Sequence, residues 1–473
     1  YCPQLPFGGD EDYIWSLDGK KVLYVTKAKV GTDYVLSTNT DIYEYDLTSK
    51  KTTNLTEGMM GYDTNPQYSK EGVLAWLSMA HNGNESDKND LYILRNGKRI
   101  NLTAQWDNTI FSYRWSNDGK RIYLIAPTQG TEQLFVVDVY SKNTTPIQLT
   151  QGVFDVNSIV GQAGDQLVVI RTDMNHAAEL YTISLKEKKK EYLSLTQLSH
   201  FNDEQYKQIA QCPIKERIIK TTDGKDMHAW VIYPPDFNPN KKYPTLLYCQ
   251  GGPQSIVSQF YSFRWNFQLM ASQGYIVIAP NRRGLPGFGV EWNAQISGDW
   301  GGQPMRDYLS AIDDIAKEPY VDKDRLGAVG ASYGGYSIYY LAGIHQKRFK
   351  TFIAHCGVFN LESMYGTTEE LFFNNNEIGG AYWEERNAVA QKSYKEFNPI
   401  KKINNWDTPI LIIHGGKDYR VPEEQGFQAF TAAQLKGIRS ELLYFPDENH
   451  WVLQPQNGLL WQRTFFKWLK ETL

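Results

Sequence analysis

The sequence predicts two domains of different fold class, an incomplete β-propeller over residues 1–200 and a mostly parallel sheet covered by helices over residues 201–473. Three observations carry this prediction. A four-strand unit rich in aromatic residues repeats in the first half. Buried strand-like runs alternate with helical stretches from about Glu204 onward. One of these runs leads into a glycine-rich turn that contains a serine.

Composition excludes several function classes. The chain has 473 residues, which is too many for one hydrophobic core. Its net charge of −4 predicts no basic surface for nucleic acid. No apolar run is long enough to span a membrane. The four cysteines have no C-x-x-C or metal-type spacing, so the sequence predicts no metal site.

The sequence opens YCPQLPFGGD, without an initiator methionine or a signal peptide. We therefore expect that a targeting segment has been removed or that the sequence begins within a longer protein. The favoured compartment is the bacterial periplasm or the exterior.

The repeat in the first half has the plan of a propeller blade. Each copy has an aromatic residue, a tight turn, a strand, a second aromatic-rich strand and a strand ending in Leu-Thr. The copies begin YIWSLDGKKVLYV, PQYSKEGVLAWLS, YRWSNDGKRIYLI and, with more divergence, GQAGDQLVVI. The pairs Asp18-Gly19 and Asp118-Gly119 suit hairpin turns. Since four blades are few for a propeller, we expect further blades upstream; a closed four-bladed ring and tandem β-domains are the alternatives.

The second half has the pattern of a sheet covered on both faces. Helix-like segments such as Met305–Lys317 and Glu423–Leu435 separate several of the strand-like runs, and Trp461, Phe465, Trp468 and Leu469 form one stripe of the last helix. The predicted strands are His228–Tyr233, Thr245–Cys249, Tyr275–Ala279, Leu326–Val329, Phe352–Cys356, Ile410–His414 and Leu442–Phe445.

The stretch GASYGGYS places Ser332 in a G-x-S-x-G pattern between an apolar strand-like run and a small-residue helix. This is the setting of a nucleophile elbow, in which flanking glycines leave room for a strained serine. An α/β-hydrolase needs a base and an acid in the chain order Ser, Asp, His. Asp418 follows the strand at 410–414, and His450 follows the strand at 442–445. We therefore predict Ser332, Asp418 and His450 as a catalytic triad; His414 and Asp447 have structural interpretations.

An oxyanion formed at Ser332 needs hydrogen-bond donors. The backbone N–H of Tyr333 is one predicted donor. The loop after the strand at 245–249 reads QGGP, and its Gly251 N–H is the second, with Gln250 as a possible helper.

These motifs resemble the prolyl oligopeptidase family of serine peptidases, in which a propeller precedes an α/β-hydrolase. The resemblance covers the C-terminal half through TTDGKDMHAWVIYPPDF, YPTLLYCQGGP, APNRRGLPGFG, SGDWGG, GASYGGYS, HGGKDYRVP and ENHW. It is greatest with the branch of acylaminoacyl-peptidases and dipeptidyl-peptidase V, where the oxyanion loop usually reads H-G-G-P. Gln250 replaces that histidine here. The resemblance therefore supports the backbone donors of the oxyanion site but does not extend to a side-chain donor.

The resemblance implies hydrolysis of short peptides, with the propeller screening out folded proteins and with no cofactor. It also places Val358, Leu361 and Met364, together with Tyr333, in the wall of the specificity pocket; these residues could instead be simple core. An apolar wall predicts an uncharged residue before the scissile bond.

The dipeptidyl-peptidase IV relatives grip the substrate amine with paired glutamates in the propeller. No such pair occurs in residues 1–200. We expect a peptidase that releases dipeptides; an acylaminoacyl-peptidase or a general oligopeptidase is the alternative, and a carboxylesterase or an inactive scaffold is less favoured. The expected partner is a peptide substrate, with neither nucleic acid nor a membrane span, and a homodimer is left open.

Overall fold

The structure is a computed structural model that describes residues 2, 9–186 and 191–473. The described residues divide into two compact units. One contains the residues up to Asp173 together with Ala178–Asp203 and Pro286–Ala294, and the other contains Met174–Ala177, Glu204–Leu285 and Gln295–Leu473. The sequence did not predict that Met174–Ala177 would belong to the second unit or that Pro286–Ala294 would belong to the first.

The first unit is built on four separate antiparallel sheets of four strands each. In all four, strands that are consecutive in the chain are neighbours in the sheet. The strands are β1 Tyr13–Trp15, β2 Lys21–Thr26, β3 Asp41–Asp46, β4 Thr52–Asn54, β5 Asp63–Tyr68, β6 Leu74–Ser78, β7 Asp90–Arg95, β8 Lys98–Asn101, β9 Ser112–Trp115, β10 Arg121–Thr128, β11 Thr131–Asp138, β12 Ile147–Gln148, β13 Asp155–Ala163, β14 Gln166–Asp173, β15 His176–Ser184 and β16 Leu195–Gln197. Residues 187–190 of the fourth predicted repeat lie outside the described residues.

The repeated sequence features have specific jobs in these sheets. Gly19 and Gly119 have positive φ angles of 69° and 67°, as the hairpin turns at those positions require. In both turns the preceding aspartate accepts a hydrogen bond from a serine hydroxyl, at 2.7 Å and 2.6 Å. The Leu-Thr ending has a structural role in the first three sheets, where the threonine hydroxyl binds the third strand. Its oxygen accepts a hydrogen bond from a backbone N–H of that strand in three pairs: Thr56 from Ile42, Thr103 from Leu91 and Thr150 from Leu134.

The second unit contains one eight-stranded sheet in the order β17-β18-β20-β19-β21-β22-β23-β24. Its strands are β17 Ile214–Lys220, β18 Asp226–Ile232, β19 Tyr243–Cys249, β20 Ile276–Pro280, β21 Val321–Ala331, β22 Thr351–His355, β23 Ile410–Gly415 and β24 Ser440–Phe445. The first two pairings are antiparallel and the others are parallel. All seven predicted strands are present, and β17 is an additional edge strand.

Helices connect the parallel strands and cover the sheet. The chain's α-helices are α1 Thr32–Leu36, α2 Asp203–Tyr206, α3 Phe267–Ser272, α4 Val290–Ala294, α5 Gln303–Ile315, α6 Tyr333–Leu341, α7 Leu361–Thr367, α8 Leu371–Glu377, α9 Ala388–Glu396, α10 Glu424–Leu435 and α11 Pro455–Thr472. The 3-10 segments are Asp10–Asp12 and Pro399–Asn405. No helix within the described ranges combines the length and the apolar composition that crossing a membrane would require.

The core of the second unit lies against the sheet. The predicted stripe of α11 is confirmed, since Trp461, Phe465, Trp468 and Leu469 are the buried residues of that helix. These side chains join one cluster with apolar residues of the central strands, such as Leu246. The indole N–H of Trp468 donates to the Thr351 hydroxyl at 2.8 Å, so a polar atom of the core has a partner.

Candidate active site

Ser332 lies at the sharp turn between β21 and α6. Its φ of 59° and ψ of −121° are unusual for a residue with a side chain and store strain. Two backbone hydrogen bonds hold the turn: the Ser332 N–H donates to the His355 carbonyl at 3.0 Å, and the Tyr336 N–H donates to the Ser332 carbonyl at 2.9 Å. The strand, the turn and the helix are those that the sequence predicted for an elbow.

The glycines around Ser332 are required by lack of space. A Cβ on Gly334 would lie 2.0 Å from the Cys249 carbonyl oxygen, and one on Gly330 would lie 2.7 Å from the same atom. A Cβ on Gly335 would lie 2.6 Å from the His355 oxygen. These distances are below any real Cβ contact, and the atoms met are backbone atoms that cannot turn aside. The backbone of the elbow therefore packs closely against the end of β19 on one side and the end of β22 on the other.

Asp418 and His450 meet at the carboxyl ends of β23 and β24. His450 Nδ1 lies 2.6 Å from Asp418 Oδ2, and both residues are buried. The other carboxylate oxygen of Asp418 accepts from the backbone N–H groups of Arg420 and Val421, at 3.1 Å and 2.9 Å. An aspartate held in this way fixes the imidazole with Nδ1 protonated and leaves the Nε2 lone pair free for a proton.

The environment of His450 favours the charged imidazolium. Burial alone would lower the pKa of His450, but the Cys356 sulfur and the Asp418 carboxylate beside it raise that pKa above its ordinary value. Stabilising the imidazolium is useful to a base that must hold a proton for part of a reaction.

The two other polar groups considered from the sequence are accounted for. The His414 ring is fully buried, and its Nε2 donates to the Val421 carbonyl at 2.7 Å, which supports the loop that carries Asp418. Asp447 has an exposed side chain that pairs with Lys417 at 3.0 Å.

Within the described part of the chain, the Ser332 hydroxyl forms no hydrogen bond to His450. The atom nearest to His450 Nε2 in a polar contact is instead the Cys356 sulfur, at 3.9 Å. Catalytic hydrogen bonds are often long before substrate binds, so this arrangement leaves the predicted serine–histidine pairing to be tested by experiment.

The predicted oxyanion loop approaches the serine closely. A Cβ added to Gly251 would lie 3.4 Å from Ser332 Cβ and 3.0 Å from the Ala331 carbonyl oxygen. Tyr333 is the first residue of α6, so its N–H has no partner inside the helix. The backbone donors predicted from the sequence therefore belong to segments adjacent to Ser332.

The Gln250 side chain is engaged elsewhere. Its oxygen accepts from the Tyr248 hydroxyl at 2.7 Å, and its nitrogen donates to the Ser255 hydroxyl and the Ile256 carbonyl, at 3.3 Å and 3.2 Å. These hydrogen bonds join residues on both sides of Gly251 and so hold the conformation of its loop. We therefore retain only the backbone half of the predicted oxyanion site.

Arg282, which sequence reasoning assigned no role, holds the same loop. The side chain is fully buried. Its guanidinium donates to the carbonyls of Gln250 and Pro253, at 3.3 Å and 3.0 Å, on either side of the two glycines. It also donates to the Tyr308 hydroxyl at 3.0 Å and lies 4.5 Å above the Tyr333 ring. One planar cation thus links the predicted oxyanion loop to Tyr333, the residue after Ser332.

The predicted pocket residues are buried. Val358, Leu361 and Met364 are each at most 3% exposed, and the last two lie one turn apart on α7. The Tyr333 side chain contacts Trp300, with its hydroxyl donating to the Trp300 carbonyl at 2.8 Å. The role of the three apolar side chains in a pocket stays a prediction.

Two family models match the chain. The prolyl oligopeptidase family matches residues 261–473, and the dipeptidyl peptidase IV N-terminal region matches residues 73–226. The four four-stranded sheets and the eight-stranded sheet agree with this pair of matches. The predicted fold class, an α/β-hydrolase preceded by propeller blades, is confirmed.

Relatives match along the whole chain. It is 50% identical over 475 residues to dipeptidyl-peptidase 5 of Porphyromonas gingivalis, with 100% of this chain and 68% of the relative covered. It is 32% identical to dipeptidyl-peptidase 5 of Schizosaccharomyces pombe, with 99% and 66% covered.

Among solved structures, an acylaminoacyl peptidase in complex with Z-Gly-Gly-Phe-chloromethyl ketone has a similar fold. It superposes with a TM-score of 0.83 at 21% identity, covering 98% of this chain and 70% of that one. The architecture, the family models and the identity over full length lead to one conclusion: the chain belongs to the prolyl oligopeptidase family of serine peptidases.

Proposed function

We propose that Ser332, His450 and Asp418 form the catalytic triad of a dipeptidyl peptidase that acts through an acyl-enzyme. The single observation that carries the proposal is the 2.6 Å contact between His450 Nδ1 and Asp418 Oδ2, buried beside a strained Ser332 elbow. The domain over residues 201–473 would carry out the reaction. The blades over residues 1–200 would exclude folded proteins and admit short peptides.

The chemistry follows from this geometry. Ser332 Oγ attacks the peptide carbonyl carbon while His450 Nε2 accepts the hydroxyl proton, and Asp418 stabilises the imidazolium. The imidazolium then protonates the leaving amine, which departs as the C–N bond breaks and leaves an ester on Ser332. Water, deprotonated by the same imidazole, hydrolyses the ester and restores the serine.

The negative charge on the carbonyl oxygen would be stabilised by the N–H groups of Gly251 and Tyr333. Such donors act only if the backbone is held in place before the reaction. Arg282 is the residue that supplies this rigidity, because it binds two carbonyls of the loop that carries Gly251. Arg282 is thus a positioning residue.

We propose that the substrates are peptides with a free N-terminus, from which the enzyme releases dipeptides. The residue before the scissile bond is uncharged. The named activity of the curated relatives supports dipeptide release. The apolar character of Val358, Leu361 and Met364 supports the preference for an uncharged residue, because a charged side chain would lose its hydration there without a partner. The acylaminoacyl-peptidase alternative rests on the resemblance of the sequence motifs to that branch.

A free amine needs a carboxylate, and an acidic pair lies beside the Asp418 loop. The Glu369 N–H donates to the Tyr419 carbonyl at 2.9 Å, and Glu369 and Glu370 both pair with Arg420, at 3.3 Å and 2.9 Å. Burial raises the pKa of Glu370 to about 7, against the opposing effect of Arg420. Glu369 is more exposed than Glu370 and is therefore the better candidate for the amine.

The triad predicts losses of rate that do not multiply. Replacing Ser332 by alanine should lower kcat roughly 10⁴-fold or more, since the residual rate comes from binding and the oxyanion donors alone. Once Ser332→Ala is present, His450→Ala should cost little further. Steady-state kinetics on the two single variants and the double variant test this. Independent, multiplying losses would mean that His450 has another role.

The loop clamp predicts an effect on kcat. Arg282→Lys keeps the charge but loses the planar fork, so the Gly251 N–H should shift and kcat should fall by roughly 10²-fold with a smaller change in KM. The matched control is Arg348→Lys, which alters a forked arginine bound to Asp313 away from the loop. A folded Arg282→Lys enzyme with native kcat would refute the positioning role.

The substrate proposal predicts a graded profile. Dipeptidyl fluorogenic substrates with Ala, Val, Leu or Phe before the scissile bond should all be cut, with differences of about 1–3 kcal/mol in activation free energy per methylene. Lys, Arg, Asp or Glu at that position should give poor substrates.

Acetylating the amine should abolish cleavage, and Glu369→Gln should raise KM for free-amine substrates. A preference for acetylated substrates would move the enzyme to the acylaminoacyl-peptidase alternative, and a preference for a charged residue would overturn the pocket.

A further inference from the structure

The chemistry proposed above does not use Cys356, although its thiol is the polar side-chain group next to the catalytic face of His450. The sulfur lies 3.9 Å from His450 Nε2, and one donor atom from each of Cys356, His450 and Asp418 fits within 4.8 Å of the others. All three residues are buried. The sequence predicted no metal site, because cysteine spacing along the chain cannot show a thiol and an imidazole that meet only in the fold.

We propose that Cys356 and His450 form a binding site for Zn²⁺ that reversibly inhibits the enzyme. Thiolate sulfur and imidazole nitrogen are the ligands that zinc prefers, at about 2.3 Å and 2.0 Å. A single ion at these distances would join the two atoms with an angle of about 130°, close to tetrahedral. A movement of a few tenths of an ångström would reach the ideal angle, so no rearrangement of the backbone is required.

The sulfur is held in position for this role. The Cys356 backbone has a positive φ of 41°, and its N–H donates to the Ile413 carbonyl at 2.8 Å. The next residue, Gly357, is in such close contact with Gly335 that an added Cβ would lie 2.4 Å from its carbonyl carbon. The backbone that carries the thiol is therefore fixed against the elbow helix.

Asp418 completes the site from the far side of the ring. Histidines that bind zinc usually donate their other N–H to a carboxylate, which fixes the tautomer and increases the basicity of the free nitrogen. The 2.6 Å contact between His450 Nδ1 and Asp418 supplies this arrangement. The geometry that prepares Nε2 to accept the serine proton thus also prepares it to bind a metal ion.

Binding and catalysis would compete for one lone pair. Zn²⁺ would displace to solvent the Cys356 thiol proton and, from the imidazolium form of His450, the Nε2 proton; it would then form bonds to the sulfur and to Nε2 and complete its coordination with water. With Nε2 occupied, His450 could not accept the proton of Ser332. The inference rests on the proposed function only for its inhibitory effect, since metal binding itself needs no peptidase activity.

Cobalt is the spectroscopic probe for binding. Titration of Ser332→Ala protein with Co²⁺ should produce a thiolate-to-cobalt charge-transfer band in the near ultraviolet, and Zn²⁺ should remove the band by displacement. The band should be absent from the Ser332→Ala, Cys356→Ala double variant and present when Cys212→Ala replaces the cysteine change. Cys212 is a buried thiol that contacts the Gln268 carbonyl and serves as the matched control. Absence of the band in Ser332→Ala protein, or its persistence without Cys356, would overturn the site.

Inhibition is measured separately on enzyme with Ser332 intact. Zn²⁺ should inhibit peptide cleavage reversibly, with recovery on adding EDTA, whereas Mg²⁺ at equal concentration should not. Cys356→Ala and Cys356→Ser should each raise the half-inhibitory Zn²⁺ concentration at least about tenfold, because even indirect partners of a metal site contribute 10–100-fold in affinity. Equal zinc sensitivity with and without Cys356 would contradict the inference. A cobalt band in Ser332→Ala protein, together with no peptide cleavage by the enzyme with Ser332 intact, would instead leave the site standing and remove the proposed function.

Discussion

The close backbone packing around Ser332 is the constraint on which the rest of the site depends. A Cβ at Gly334 would lie 2.0 Å from the Cys249 carbonyl oxygen, so α6 approaches the end of β19 as closely as main chains can. The same approach brings the loop after Cys249, with Gly251, beside the serine. One steric condition therefore sets the strained conformation of Ser332 and brings the proposed oxyanion loop next to it.

The parallel sheet supplies the remaining alignment. Ser332, Asp418 and His450 follow β21, β23 and β24, whose carboxyl ends lie at the same edge of the sheet. Residues far apart in sequence meet there because parallel strands in register deliver their following loops to a common edge. The buried side chains of α11 pack against the same sheet and join one core with its strands. Buried hydrogen bonds, such as that of His414 to Val421, then orient the loops.

Much of this was open to prediction from sequence because it depends on local pattern. Buried parallel strands are continuous apolar runs, so the seven predicted strands are all present. The edge strand β17 was not predicted, because charged residues such as Lys215, Glu216 and Arg217 interrupt the apolar pattern, as is common at a sheet edge. In the first half, the Leu-Thr ending recurs because three sheets use the same threonine hydrogen bond, and the Asp-Gly pair recurs because two sheets use the same turn.

The parts that sequence could not supply depend on side-chain direction in three dimensions. Gln250 occupies the expected position, but its amide satisfies Tyr248 and Ile256. Arg282 lies in a recognisable motif, yet its bonds to the carbonyls of the Gln250 loop follow only from the folded structure. The contact of Cys356 with His450 likewise joins two residues that no spacing rule relates.

The central claim is that Ser332 is the nucleophile and that His450 activates it. The most direct test is covalent labelling of the native protein with a fluorophosphonate, followed by peptide mass spectrometry to locate the adduct. The account predicts one adduct, on Ser332, that forms rapidly in the native protein and far more slowly in folded His450→Ala protein. An unlabelled native protein, an adduct on another residue, or labelling at the native rate without His450 would contradict it.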